Sequence, residues 1–303
     1  MPKIVECVPN FSEGRRPEVV AAIVAAGAAH GVKILDWTLD ADHNRSVVTF
    51  AGEPGEVLEA AFAMIREAAE RINMAEHRGA HPRIGAADVV PFVPVSGVEM
   101  AECVALARRL GERVGGELGI PVYLYEEAAA SPQRRNLADV RRGEYEGLQE
   151  EIAKPERRPD FGPARLHPTA GAVAIGARKP LIAFNVNLGT GNLAVARAVA
   201  RALRAKDGGL SFVKAIGLEL KDRRQVQVSM NLVDYERTPI YRALELARLE
   251  AARYGVPVVG TEIVGLVPLD ALLGSLEYYL QMESFHREQV LEVKLHSPDG
   301  GKD

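Results

Sequence analysis

The sequence is short of cysteine, of aromatic residues and of any surplus of positive charge. Its only cysteines, Cys7 and Cys103, stand far apart in 303 residues and belong to no CxxC or Cys/His spacing. That argues against a disulfide framework or a zinc ribbon and suits a reducing compartment. The 37 Lys and Arg against 41 Asp and Glu leave a net charge of −4. No basic field is therefore available for nucleic acid, and any anion site has to be a local cluster. No uncharged apolar run approaches the length of a membrane span. The opening residues, Met1-Pro2-Lys3-Ile4-Val5-Glu6, lack the apolar core of a signal peptide. The expectation is a cytoplasmic protein bound to neither membrane nor nucleic acid. Phosphate-cradling loops are missing too. Gly189-Thr190-Gly191-Asn192 begins as GxG, but Ala194 stands where GxGxxG needs its third glycine, and no GxxxxGK[ST] or GxSxG follows elsewhere.

What is present is a globular composition, 47% hydrophobic and 26% charged, in a mixed α/β pattern. Lys3 to Val8 reads as a short strand that ends in the loop chemistry of Pro9-Asn10-Phe11-Ser12-Glu13-Gly14. Pro17 to His30 has helical spacing. Val32–Trp37 and Ser46–Ala51 read as paired strands around the polar turn from Thr38 to Arg45. Pro54–Met74 is a long amphipathic helix, Asp88–Val95 a strand, Met100–Leu118 a helix and Gly119–Tyr125 a strand. Residues 126–172 change character. Arginine doublets, prolines and few apolar runs mark a connector with room for short helices between Ala138 and Lys154, ending in a Gly/Pro-rich loop of fixed shape. Gly176 to Pro180 then opens a second unit. It has a strand to Leu188, a helix from Asn192 to Arg204, and strands Val213–Leu220 and Gln225–Leu232 around a charged turn. A helix Pro239–Tyr254, a strand Val256–Val264 and a helix Leu269–Glu283 complete it. This β-α-β-β-α-β order is the split βαβ arrangement, and the first unit shows it with additions. The polar tail from Lys294 to Asp303 is expected to fray. The fold expected is α+β, two related units spanning 1–177 and 178–303 that face each other with a ligand between them.

Chemistry concentrates in Glu76-His77-Arg78-Gly79-Ala80-His81-Pro82-Arg83, a loop that Gly79 and Pro82 keep from being helical. His77 and His81 stand four apart, but off a helix and without a third ligand nearby they do not make a metal site. His81, flanked by Arg78 and Arg83, suits a proton-transfer group held neutral by nearby positive charge. His77 suits a supporting or surface role. The turn with Asp40, His43, Asn44 and Arg45, and Asn10 after the first strand, are equally consistent with plain turns or with polar groups facing a ligand. Asn185 and Asn187 share one strand face. Two amides there are costly to bury unless they meet a ligand or each other, so a ligand-facing role is expected of both.

Several stretches together resemble one known family. Val5-Glu6-Cys7-Val8-Pro9-Asn10-Phe11-Ser12-Glu13-Gly14, Gly79-Ala80-His81-Pro82-Arg83-Ile84-Gly85-Ala86 and Gly176-Ala177-Arg178-Lys179-Pro180 through Leu188 resemble the glutamate formiminotransferases. So do Pro121–Tyr125, Asp160–Pro163 and Val264–Pro268, and the resemblance runs from about Lys3 to Glu292 without a cyclodeaminase domain. It implies two ferredoxin-like subdomains around a folate tunnel and a homodimer. It implies transfer of the formimino group from N-formimino-L-glutamate to tetrahydrofolate as co-substrate, giving 5-formiminotetrahydrofolate and glutamate, with no metal. It places the catalytic histidine on His81 and the folate loop on Gly162, Pro163, Ala164, Arg165, Leu166, His167, Pro168, Thr169, Ala170 and Gly171. Because both substrates carry carboxylates, Arg83, Arg45 and Lys179 are the expected clamps. N-formylglutamate as donor, or a folate-binding protein without catalysis, are the alternatives.

Overall fold

The computed structural model describes residues 2–79 and 81–296. Ala80 and residues 297–303, which hold most of the tail expected to fray, lie outside the described residues. The chain divides into two compact units, Met1–Lys179 and Pro180–Asp303.

The first unit begins with β1 (Ile4–Cys7) and β2 (Asn10–Phe11), followed by α1 (Pro17–Ala28), β3 (Lys33–Asp40), β4 (Arg45–Gly52) and α2 (Pro54–Arg71). It continues with β5 (Ala87–Ser96), α3 (Met100–Glu117) and β6 (Val122–Glu126), then the connector helices α4 (Leu137–Val140) and α5 (Glu144–Glu151), and closes with β7 (Val173–Ala177). Proline at the first turn of α1 and of α2 sets their start, where its missing N–H leaves no bond unmade. The sheet runs β1-β4-β2-β5-β7-β6 with β3 on the outside of β4. β1 and β2 are one interrupted strand. Pro9 breaks it, and both halves pair antiparallel with β4 and β5. The stretch expected to be pure loop after the first strand is therefore partly sheet, because the neighbours on both sides supply its ladder.

Side chains alternate across this sheet, and its two faces are covered unequally. Val48 and Phe50 of β4, Val90 and Phe92 of β5, Val122 and Leu124 of β6 and Val173 and Ile175 of β7 join α1, α2 and α3 in the main core. On the opposite face Val89, Tyr123, Tyr125 and Ala174 pack under Val140, Leu148 and Ile152 of the connector. That second cover spans β5, β7 and β6 only. Over β2, β3 and β4 the same face carries Asn10, Thr38, Asp40, Arg45 and Val47, set side by side by the register Asn10↔Val47, Thr38↔Val47 and Asp40↔Arg45. The connector is thus a packed layer rather than a surface crossing, and Gly176 and Ala177, expected to open the second unit, end the parallel strand β7 of the first.

The second unit has β8 (Ile182–Leu188), α6 (Leu193–Leu203), β9 (Val213–Leu220), β10 (Gln225–Leu232), α7 (Ile240–Ala252), β11 (Val258–Val264), α8 (Leu269–Leu280) and α9 (Leu291–His296). Its antiparallel sheet, ordered β11-β8-β10-β9, packs one face on α6 and α7. β9 and β10 match the expected strands residue for residue. Among the described residues, no helix is long and apolar enough to cross a membrane.

Two glycines pin the loop that carries the histidines. A Cβ on Gly79 would fall 2.2 Å from the carbonyl oxygen of His43, and one on Gly85 would fall 1.8 Å from that of Ala172. Gly85 also bridges to Gly171, whose φ of +71° suits glycine. Gly85→Ala is expected to lower unfolding stability by about 1–3 kcal/mol. Gly116→Ala in α3, where nothing lies within 4 Å, should be neutral or slightly stabilising. Urea denaturation of both variants checks this, and equal midpoints would show that the close approach is not a constraint.

Candidate active site

The half-covered face of the first unit is where the candidate residues meet. Asp40 ends β3 and Arg45 begins β4, so the tight turn between them presents Asp40, His43, Asn44 and Arg45 together. Asp40 closes the turn by accepting from the backbone N–H of His43 at 2.9 Å and from its ring Nδ1 at 2.6 Å. Burial alone would raise the Asp40 carboxyl, but the hydrogen bonds and charge of His43, with the backbone of Asp42, together hold it below its usual range. Asn44 is buried at φ +48°. Its Oδ1 accepts from Gly14 N at 3.0 Å and its Nδ2 donates to Arg78 O at 3.1 Å, tying the turn to the histidine loop. Asn10 holds its own strand by donating to Val8 O, and its Oδ1 accepts from Arg45 Nη2.

His81 sits at this junction. Its Nδ1 lies 2.8 Å from the carbonyl oxygen of Pro82. A carbonyl can only accept, so Nδ1 carries the proton and Nε2 keeps a free lone pair. Burial and then the positive charge of Arg45 and Arg141 push the His81 pKa down to about 3. Its ring lies edge-on to that of His43, with centroids 6.2 Å apart. Burial, with Arg141 next, also draws the Arg45 guanidinium down to about 10. The arginines that keep the imidazole neutral are therefore Arg45 and Arg141, not the sequence neighbours Arg78 and Arg83.

Arg83 turns the other way. Buried, it makes a bidentate pair with Glu146 at 2.6 and 2.9 Å and a bond to Glu144 at 2.8 Å, both on α5. Its Nε faces His77 Nδ1 at 3.3 Å, and His77 Nε2 donates to Asn44 O at 3.0 Å. The pair Arg83–His77 thus clamps the loop between the turn and the connector. In the loop 162–171, His167 Nδ1 accepts from the backbone of Thr169 and Ala170 at 3.3 and 3.0 Å. Met74 N bonds Thr169 O at 2.8 Å. Leu166 packs inward and Ala170 and Gly171 are buried, while Gly162, Ala164, Arg165, Pro168 and Thr169 are exposed and Pro163 is half-buried. Lys179 is exposed at the end of the first unit.

Asn185 and Asn187 lie on β8 of the second unit, each 8% exposed. Asn185 Nδ2 donates to Glu262 Oε2 at 3.2 Å and Asn187 Oδ1 accepts from Gln227 Nε2 at 2.9 Å. The partners that make their burial tolerable come from neighbouring strands, a solution beyond the two weighed from sequence.

Local sequence spacing does not point to Arg141, to His43 as the partner of Asp40, or to Asp88. The doublet Arg141-Arg142 was visible, but only as connector. Among the described residues, no group of three His, Cys, Asp or Glu side chains is arranged to hold a metal ion.

The depressed His81 pKa has a consequence for stability. Above pH 6.5 the residue is neutral whether folded or unfolded. As the pH falls from 6.5 toward 3, the unfolded chain takes a proton that the folded site refuses, so stability drops across that window. His81→Gln should flatten this loss relative to the parent protein, measured as urea midpoints from pH 7 to about 4. Superimposable curves would place His81 in water.

Comparison with known proteins agrees with this architecture. The formiminotransferase domain, N-terminal subdomain, matches residues 4–178, and the formiminotransferase domain matches residues 183–296. A glutamate formimidoyltransferase of Thermoplasma acidophilum is 55% identical over 96% of this chain and 97% of its own length. One from Streptococcus pyogenes serotype M1 is 49% identical over 97% of this chain and 99% of its own. The formimidoyltransferase-cyclodeaminase of Mus musculus is 47% identical over 97% of this chain, which spans 56% of that longer protein. The chain belongs to the formiminotransferase family.

Proposed function

We propose that this protein transfers the formimino group from N-formimino-L-glutamate to N5 of tetrahydrofolate, with His81 as the proton-transfer group. Family membership supports the reaction. The observation that carries the residue assignment is the Pro82 carbonyl, which holds the proton on Nδ1 and leaves Nε2 of a neutral imidazole free.

In the proposed reaction the N5 lone pair attacks the amidine carbon, and a tetrahedral intermediate forms. N5 has become cationic, and its proton passes to His81 Nε2. The imidazolium then donates that proton to the glutamate nitrogen as its bond to carbon breaks. One histidine acting in turn as base and acid contributes about two to four orders of magnitude in rate. Arg45 and Arg141 disfavour the imidazolium, so the captured proton is readily given up. Holding two substrates together supplies much of the remainder. The loop 162–171 is the proposed folate contact. Its shape is set by its own backbone, by His167 and by the Gly85–Gly171 bridge, which ties it to the segment carrying His81.

His81→Ala is expected to lower turnover by at least about a hundredfold while tetrahydrofolate still binds. A direct spectrophotometric assay of the folate product, run with the formimino and the formyl derivative of glutamate, measures it. Near-normal turnover in that variant would remove His81 from the chemistry.

A further inference from the structure

Among the described residues, three buried guanidinium nitrogens of the first unit are left without hydrogen-bond partners, and two of them belong to the arginines whose charge acts on His81. Nε of Arg45 and Nε of Arg141 are both buried and make no hydrogen bond. The other ends of these side chains are anchored. Arg45 Nη2 donates to Asn10 Oδ1, and Arg141 Nη2 pairs with Asp88 Oδ2. Asp88 is itself 3% exposed and accepts from Ile84 N at 2.9 Å. The anchors fix where the guanidiniums sit, yet an N–H left unmade on a buried charged group is costly. Like charge aggravates this, since each of the two lowers the proton affinity of a neighbour, Arg141 that of Arg45 and both that of His81. Asp40 does not resolve the crowding, because its carboxylate is already held by His43. Arg157 also has an unpartnered Nε, but the carboxylate of Glu151 lies 3.6 Å from it. The Arg45–Arg141 pair is the one set beside the imidazole.

We infer that Arg45 and Arg141 form the clamp for the α-carboxylate of the amino-acid donor. The inference rests on the proposed reaction for the identity of that donor. An N–H on each of two fixed guanidiniums suits a planar carboxylate, which relieves the repulsion between them as it binds. Two sources of carboxylate exist, the donor and the glutamate tail of folate. Position chooses between them. The α-carboxylate hangs on the same Cα as the formimino nitrogen, so it must stay close to the reacting carbon and to His81. The folate carboxylates lie at the far end of the p-aminobenzoyl-glutamate tail, remote from N5. Filling the clamp also offsets the positive field on His81, so the imidazole gains basicity when the donor is in place.

The test is calorimetric titration of the tetrahydrofolate-loaded enzyme with L-glutamate, with L-isoglutamine, whose α-carboxylate is an amide, and with L-glutamine, whose γ-carboxylate is. In the parent protein α-amidation should weaken binding by at least about tenfold and more than γ-amidation does. Arg141→Met should weaken L-glutamate by at least about tenfold, remove the discrimination against the α-amide and leave tetrahydrofolate affinity unchanged. Arg141→Lys, which keeps the charge on Asp88 paired and guards against a misfolded Met variant, should bind L-glutamate with intermediate affinity. Wild-type glutamate affinity in either variant with a normal melting curve would overturn the clamp. So would loss of tetrahydrofolate affinity in place of glutamate affinity, which would assign the site to the folate tail. These titrations need no turnover, so an enzyme that binds glutamate through Arg141 yet transfers no formimino group would overturn the proposed reaction and leave the clamp standing.

Discussion

The first unit is governed by one constraint: its sheet has two faces, and its own helices and connector supply apolar cover for one and only part of the other. Three helices bury the face that holds Val48, Phe50, Val90 and Phe92. The connector buries the other face only where Val89, Tyr123, Tyr125 and Ala174 lie. Where that cover stops, β2, β3 and β4 present polar side chains at fixed spacing, and the connector's edge brings Arg141 up beside them. The candidate site is this boundary between covered and uncovered sheet. A rigid ladder sets Asn10, Asp40 and Arg45, and the loop from Arg71 to Ala87 lays His81 against them. Gly79 and Gly85 allow the loop to approach the turn and the 162–171 segment within distances that no Cβ permits.

The electrostatics follow from that placement. Positive charge is gathered where water is scarce, and Arg45 and His81 both show the cost. Arg45 is weakened to about 10 and His81 to about 3. Burial is the larger cause of the His81 depression and the two arginines the next, so in the proposed reaction a carboxylate-bearing substrate would offset only the part that comes from charge. Arg83, adjacent to His81 in sequence, takes no part in this field. It is neutralised by Glu144 and Glu146 and serves as a strut between α5 and the histidine loop.

Much of the fold could be read from periodicity alone. The strand-length runs Val213–Leu220 and Gln225–Leu232 and the charged turn between them give the hairpin directly, and the two strands pair antiparallel along their whole length. β7 was invisible because Val173-Ala174-Ile175-Gly176-Ala177 is buried on both faces and built largely of small residues, so it shows no alternation. β2 has two residues and exists only through its neighbours. His81 was legible because a Gly/Pro-interrupted loop carries it. Arg141 was not, because its burial depends on Asp88, 53 residues away. The same long-range dependence gives Asn185 and Asn187 their partners on β11 and β10, which local spacing cannot show.

The most direct measurement of the central claim is the tautomeric state of His81, read by 15N NMR on histidine-labelled protein at neutral pH, with His81→Gln used to assign the signal. The account predicts a neutral ring with the proton on Nδ1 and a bare Nε2. A ring protonated on Nε2 alone, or an imidazolium at that pH, would contradict it.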